Sequence, residues 1–124
     1  MAARFEKEMN QRIREWMGLA VEKLAPNHME MFFMPGNDDL RSIDPIIDEY
    51  EGIHNPDMKH YMVGEEYEIV GLSYANMTPW ACVRDVEEDV LTVKLEEVRK
   101  MIVNPDKTIA VLHVPPYASS LDTC

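Results

Sequence analysis

A change of apolar period near the end of the chain constrains its fold most. Val86, Val90, Leu91, Leu95, Val98, Met101 and Ile102 recur at helical spacing with Glu and Lys opposite, which predicts a helix with one buried face starting from Asp85. Asn104-Pro105 ends that pattern. Thr108-Ile109-Ala110-Val111-Leu112 then follows, β-branched or aliphatic throughout, and reads as a strand covered on both faces. A helix delivering the chain into such a strand requires a sheet to receive both.

The upstream segments fit the same plan. Phe5, Met9, Ile13, Trp16, Met17, Ala20, Val21 and Leu24 mark an amphipathic helix closed by Pro26-Asn27. Met29 to Met34 is too short for a helix and reads as a largely buried strand bounded by Pro35-Gly36. Asp44 followed by Pro45 predicts an N-cap and a first helical residue, giving a short helix from 45 to about 51. His60–Val63 and Tyr67–Tyr74 flank a Gly-Glu turn and form the arms of a hairpin. The expected class is therefore α/β, a mixed sheet with flanking helices. With 124 residues and no internal repeat or linker tract, one domain is expected over 1–124. A content of 46% hydrophobic and 28% charged residues agrees with a folded chain.

Charge narrows the function. Twelve Lys and Arg against 23 Asp and Glu leave a net charge of −11, so no basic field exists to hold a nucleic acid. A phosphorylated small molecule stays compatible, because bound cations can supply positive charge locally. Cys82 and Cys124 have no paired metal spacing, and reduced thiols in a cytoplasmic setting are expected. No apolar run reaches the ~20 residues that span a bilayer, so a membrane is not an expected partner.

In α/β sheets, chemistry collects in the loops just past the carboxyl ends of strands. Two loops have that position: Gly36-Asn37-Asp38-Asp39 after Met34, and His113-Val114-Pro115-Pro116-Tyr117 after Leu112. The first offers an amide and two carboxyls to a hard cation, or equally to a turn and a helix cap. In the second, two prolines fix the chain beside an imidazole that suits a borderline transition metal, or a structural place at a core edge. On one rim of one sheet, the pair would present nitrogen and oxygen ligands together. Elsewhere, His54 and His60 bracket Pro56-Asp57 in an expected exposed loop, and the ten methionines suggest pliable packing. Cys82 has no evident base near it in sequence, and Asp85, Glu87, Glu88 and Asp89 favour the dipole at a helix start.

These residues carry a resemblance. Met34-Pro35-Gly36-Asn37-Asp38-Asp39 resembles the Gly-Asn-His-Asp motif of the calcineurin-like metallophosphoesterases, and Leu112-His113-Val114-Pro115-Pro116-Tyr117 resembles their later histidine block. Gly71 to Trp80, with Arg84 to Asp89, is similar to one bacterial and archaeal branch of that superfamily, and the similarity runs from about Trp16 to Asp122. The resemblance implies part of an αββα sandwich. It also implies hydrolysis of phosphomonoesters or phosphodiesters, with two divalent cations (Mn, Fe, Zn or Mg) binding phosphate oxygens.

Position by position, the resemblance makes Asn37 and His113 metal ligands and places Asp38 where the family has a catalytic histidine. Asp39 is implied to be a loop or cap acceptor. The family's Asp-x-His, Gly-Asp and Gly-His-x-His motifs have no counterpart here. The chain thus resembles the central fragment of such a domain, expected to be weakly active or inactive alone. Two other readings stand beside it: a non-catalytic α/β interaction or regulatory module on the same scaffold, and an enzyme completed by a second copy. Uncovered sheet edges would favour self-association.

Overall fold

The computed structural model describes residues 1–122, so Cys124 and its expected free thiol lie outside the described residues. The fold mixes helices with parallel and antiparallel strands, as the α/β reading requires. It divides into two compact units, Met1–Pro35 with Asp39–Asn55, and Gly36–Asp38 with the chain from Pro56 onward.

In the first unit, α1 (Ala2–Leu24) buries Ile13 and Met17 on the face set by its apolar period. These residues form one core with Ile53 and with Ile43, Ile46 and Ile47 of α2 (Ile43–Ile47). Fully burying each such side chain contributes about 1.5–3 kcal/mol. The helix α2 begins earlier than its proline suggested: Ser42 is the N-cap, and Asp44 and Pro45 lie inside the first turn. Proline is tolerated there because first-turn N–H groups have no intrahelical acceptor. The Asp44 carboxylate instead accepts from the buried Asn55 at 3.1 Å.

The strand read over Met29–Met34 contracts to β1 (Met31–Phe32), which pairs in parallel with β2 (Ile53–His54). His54 is thus a strand residue, its ring 5.3 Å from that of Phe32 and its Nε2 3.0 Å from Glu30. The expected exposed loop of His54 and His60 is corrected on both sides, since His60 opens a strand of the second unit.

That unit holds a mixed sheet. The hairpin arms β3 (His60–Val63) and β4 (Tyr67–Leu72) pair antiparallel, with Gly64 in the turn at φ +64°. Next come β5 (Ala75–Asn76) and β6 (Asp85–Val86), which pair in parallel, and α3 (Glu88–Met101). The chain then returns as β7 (Thr108–Leu112), parallel to β4. Parallel neighbours need such a crossover, and α3 packs Leu91 and Val98 against Val70 and Leu72 of β4. The expected helix start at Asp85 is corrected to Glu88, because Asp85 and Val86 are already paired with Ala75 and Asn76.

Buried Glu68 fastens the α3–β7 link: it accepts from Val103 N at 3.0 Å, Asn104 N at 2.6 Å and the Thr108 hydroxyl at 2.8 Å, and it meets the His60 ring. Two further expectations fail. β7 is not covered on both faces, since Ile109 and Leu112 are exposed and only β4 pairs with it among the described residues. Nor do the two candidate loops share a rim of one sheet, because β1 and β7 belong to separate sheets.

Candidate functional site

The Gly36-Asn37-Asp38 turn nevertheless belongs to the second unit and meets His113 there. Parallel pairing ends at Leu72 and Leu112, and the His113 N–H continues it for one bond to Leu72 O at 3.0 Å. The following Val114-Pro115-Pro116 stretch cannot extend the ladder, so the imidazole is delivered at the point where the strand stops.

Gly36 makes room for the ring. A Cβ on Gly36 would stand 2.8 Å from His113 Cε1 and 3.2 Å from Nε2, inside van der Waals contact. Here glycine serves close approach and not backbone freedom. The turn itself is pinned from below by buried Arg84, whose Nη1 donates to Gly36 O at 3.2 Å and whose backbone N–H donates to Asn37 O at 2.9 Å.

The result is that Asn37 Oδ1 lies 2.9 Å from His113 Nε2, across 76 positions of sequence. At its other end, the Asn37 amide nitrogen donates to Asp85 Oδ1 at 2.7 Å. The second Asp85 oxygen accepts from Thr78 N at 3.0 Å, from Cys82 N at 2.9 Å and from the Thr78 hydroxyl. These donors hold the Asp85 carboxyl down at about 2: the Thr78 hydroxyl contributes most, burial opposes it, and the Asn37 amide and the two N–H groups add to it.

Asp38 is exposed, and its carboxylate meets the thiol of Cys82. The Thr78 hydroxyl favours the thiolate, but burial and the carboxylates of Asp38 and Asp85 outweigh it, so the thiol is pushed up. Cys82 is therefore a poor nucleophile at neutral pH. Asp39 falls in the other unit.

The 2.9 Å separation is a hydrogen-bond distance between an amide oxygen and an imidazole nitrogen. Both atoms are neutral ligands of the kind that borderline divalent metals accept. Among the described residues, no group of three or more His, Cys, Asp or Glu side chains stands ready to hold a metal. Beside His113 lies a cavity of about 450 Å³, lined by Leu72, Tyr74, Leu91, Leu95, Pro115 and Tyr117 among others.

Asp85 is the site residue that sequence reasoning missed. Its neighbours Glu87, Glu88 and Asp89 are exposed at the start of α3, and in the sequence it reads as one more of them. No helix among the described residues is long and apolar enough to cross a membrane. Comparison with protein-family models, with curated proteins and with solved structures finds no match to this chain.

Proposed function

We propose that the second unit carries part of the metal site of a calcineurin-like phosphoesterase, the chain forming a central portion of that family's αββα sandwich. The observation that carries this reading is the 2.9 Å approach of Asn37 Oδ1 to His113 Nε2, which unites the two motifs that resemble the family. The substrate class is a phosphate ester of a small molecule, and the setting is cytoplasmic. When bound, divalent cations would supply Lewis acidity toward the phosphate oxygens and activate water. The chain's own contribution is to hold an amide oxygen and an imidazole nitrogen on one edge of that centre. Asp38, exposed on the same turn, stands where the family has its catalytic histidine, and its carboxylate would lie beside the departing group as an outer member of the site.

Two neutral ligands hold a divalent ion weakly, so the isolated chain is proposed to turn over little or no substrate. Calorimetric titration with Mn²⁺ tests the assignment: weak binding that disappears in both Asn37→Ala and His113→Ala is expected. Equal binding in wild type and both variants would remove the pair from the metal site. Vigorous Mn²⁺-dependent hydrolysis of an aryl phosphate would overturn the proposed shortage of ligands.

The exposed apolar edge of β7 favours a second reading, a non-catalytic interaction module that pairs through this strand, with a second copy among its partners. Sedimentation tests its self-pairing, which a strict monomer at high concentration would remove.

A further inference from the structure

We propose that Asp85 is the positioning residue of the Asn37–His113 pair, deciding which end of the Asn37 amide faces the imidazole. Its consequence for metal binding rests on the reading above, but the orientation itself is measurable without metal.

An amide is nearly symmetric in shape, and its oxygen and nitrogen ends differ only in accepting or donating. Shape alone therefore does not choose between the two orientations. At one end, His113 does not choose either, because a neutral imidazole nitrogen donates in one tautomer and accepts in the other. The choice falls to the opposite end, where an ionised carboxylate can only accept. Asp85 Oδ1, 2.7 Å away, therefore requires the Asn37 nitrogen, and the Asn37 oxygen turns to His113. In the metal-free chain His113 must then carry its proton on Nε2, since the oxygen it faces is an acceptor, and a cation taking Nε2 would require that proton to move to Nδ1.

Asp85 is itself held against rotation. Its Oδ2 is taken by the Thr78 and Cys82 N–H groups and the Thr78 hydroxyl, so Oδ1 is the atom left for Asn37. The backbone is fixed in the same place, because Arg84, adjacent to Asp85, donates its N–H to Asn37 O. Once the peptide chain is tied down on both sides, the side-chain amide has only its flip left to decide.

Asp85→Asn exposes this control. The Thr78 and Cys82 N–H groups still demand an oxygen, so the new amide places its nitrogen toward Asn37. Two donors then face each other, and Asn37 flips to offer its oxygen. Its NH₂ is left facing His113, whose Nε2 must become an acceptor. The double exchange N37D/D85N restores complementarity: the amide at 85 donates to the carboxylate at 37, whose other oxygen faces His113.

The test is ¹⁵N NMR of the His113 ring in the full chain without metal, with Mn²⁺ affinity as a separate reading. Wild type should show the Nε2–H tautomer, D85N the Nδ1–H tautomer, and N37D/D85N the Nε2–H form again. Mn²⁺ affinity should fall by about 10-fold or more in D85N, the usual cost of losing an outer-shell partner, and return in the double exchange. A folded D85N that keeps the Nε2–H tautomer would overturn the proposal. So would a double exchange that does not fold, since the charge at position 85 would then serve the fold and not the amide. If the tautomer switches as expected but wild type binds no Mn²⁺, Asp85 keeps its positioning role and the metal reading falls.

Discussion

Glu68 and Asp85 are two carboxylates of the second unit built on the same chemistry and put to different ends. Each accepts two backbone N–H groups and a threonine hydroxyl, and each is held at about 2, for Glu68 through the Asn104 N–H first, against burial, then Thr108, His60 and Val103. Glu68 sits where the β4–β7 ladder starts, opposite Thr108, and its partners all belong to the strands and the α3–β7 link. Asp85 lies beyond the other end of that ladder and holds a side-chain amide whose far end meets an exposed imidazole. A carboxylate surrounded by backbone donors is thus a fold device when its partners close on themselves. It becomes part of a site when one partner passes the orientation outward.

The largest effect that sharpens this contrast is expected at Glu68. Glu68→Ala leaves the Val103 and Asn104 N–H groups without their acceptor, and a loss of ~10 °C in Tm is expected. The His113 ring shifts should stay at their wild-type values in the same variant. A displaced His113 signal would break the contrast, by showing that the two ends of the ladder are one device.

Acid should release the Glu68 knot next. Its folded-state pKa lies below its ordinary 4.5, at about 2, so ionised Glu68 binds fewer protons in the folded chain than in the unfolded one at intermediate pH. The stabilisation is complete above about pH 4.5 and is lost as pH falls toward about 2. Urea midpoints measured across that interval should decline, and decline less steeply in Glu68→Gln. An equal slope in both proteins would take Glu68 out of the acid response.

Gly36→Ala should act in the opposite sense, sparing stability and disturbing the site. The added Cβ meets His113 at 2.8 Å, and an exposed ring can swing away at small cost to the fold. Mn²⁺ affinity is expected to drop about 10-fold, with a Tm change of only a few degrees. A variant with unchanged affinity would show that the imidazole does not need its present contact with the turn.

Much of this contrast was legible in the sequence and some was not. Thr108–Leu112 forms the strand its composition announced, and the hairpin of His60 and Glu68 was visible as two arms and a turn. Its register pairs Met62 with Glu68 and His60 with Val70, which brings His60 and Glu68 diagonally close on one face. That contact could have been inferred once the turn was placed. The apolar period marks α3 but runs three residues too far, because Val86 fits a helical face and a two-residue strand leaves no periodic mark. Asp85 was hidden for a different reason. What distinguishes it from Glu87 and Glu88 is the fold of the intervening Thr78–Cys82 turn around its oxygen, and no local pattern announces that.

A third carboxylate gives the smallest expected effect and isolates the cause. Glu96 accepts two short bonds from Arg99, at 2.6 and 2.7 Å, and its pKa is lowered first by that guanidinium, as strongly hydrogen-bonded as the two knots by distance alone. Both side chains are exposed on α3, however, and water replaces either partner when the other is removed. Glu96→Gln should therefore move Tm by less than about 2 °C, against the ~10 °C expected from Glu68→Ala. If the two substitutions cost the same, charge pairing would be the source of stability at both places. If they differ as expected, the source is the buried backbone N–H groups left without an acceptor, and the same reasoning then assigns Asp85 its hold on the Thr78–Cys82 turn.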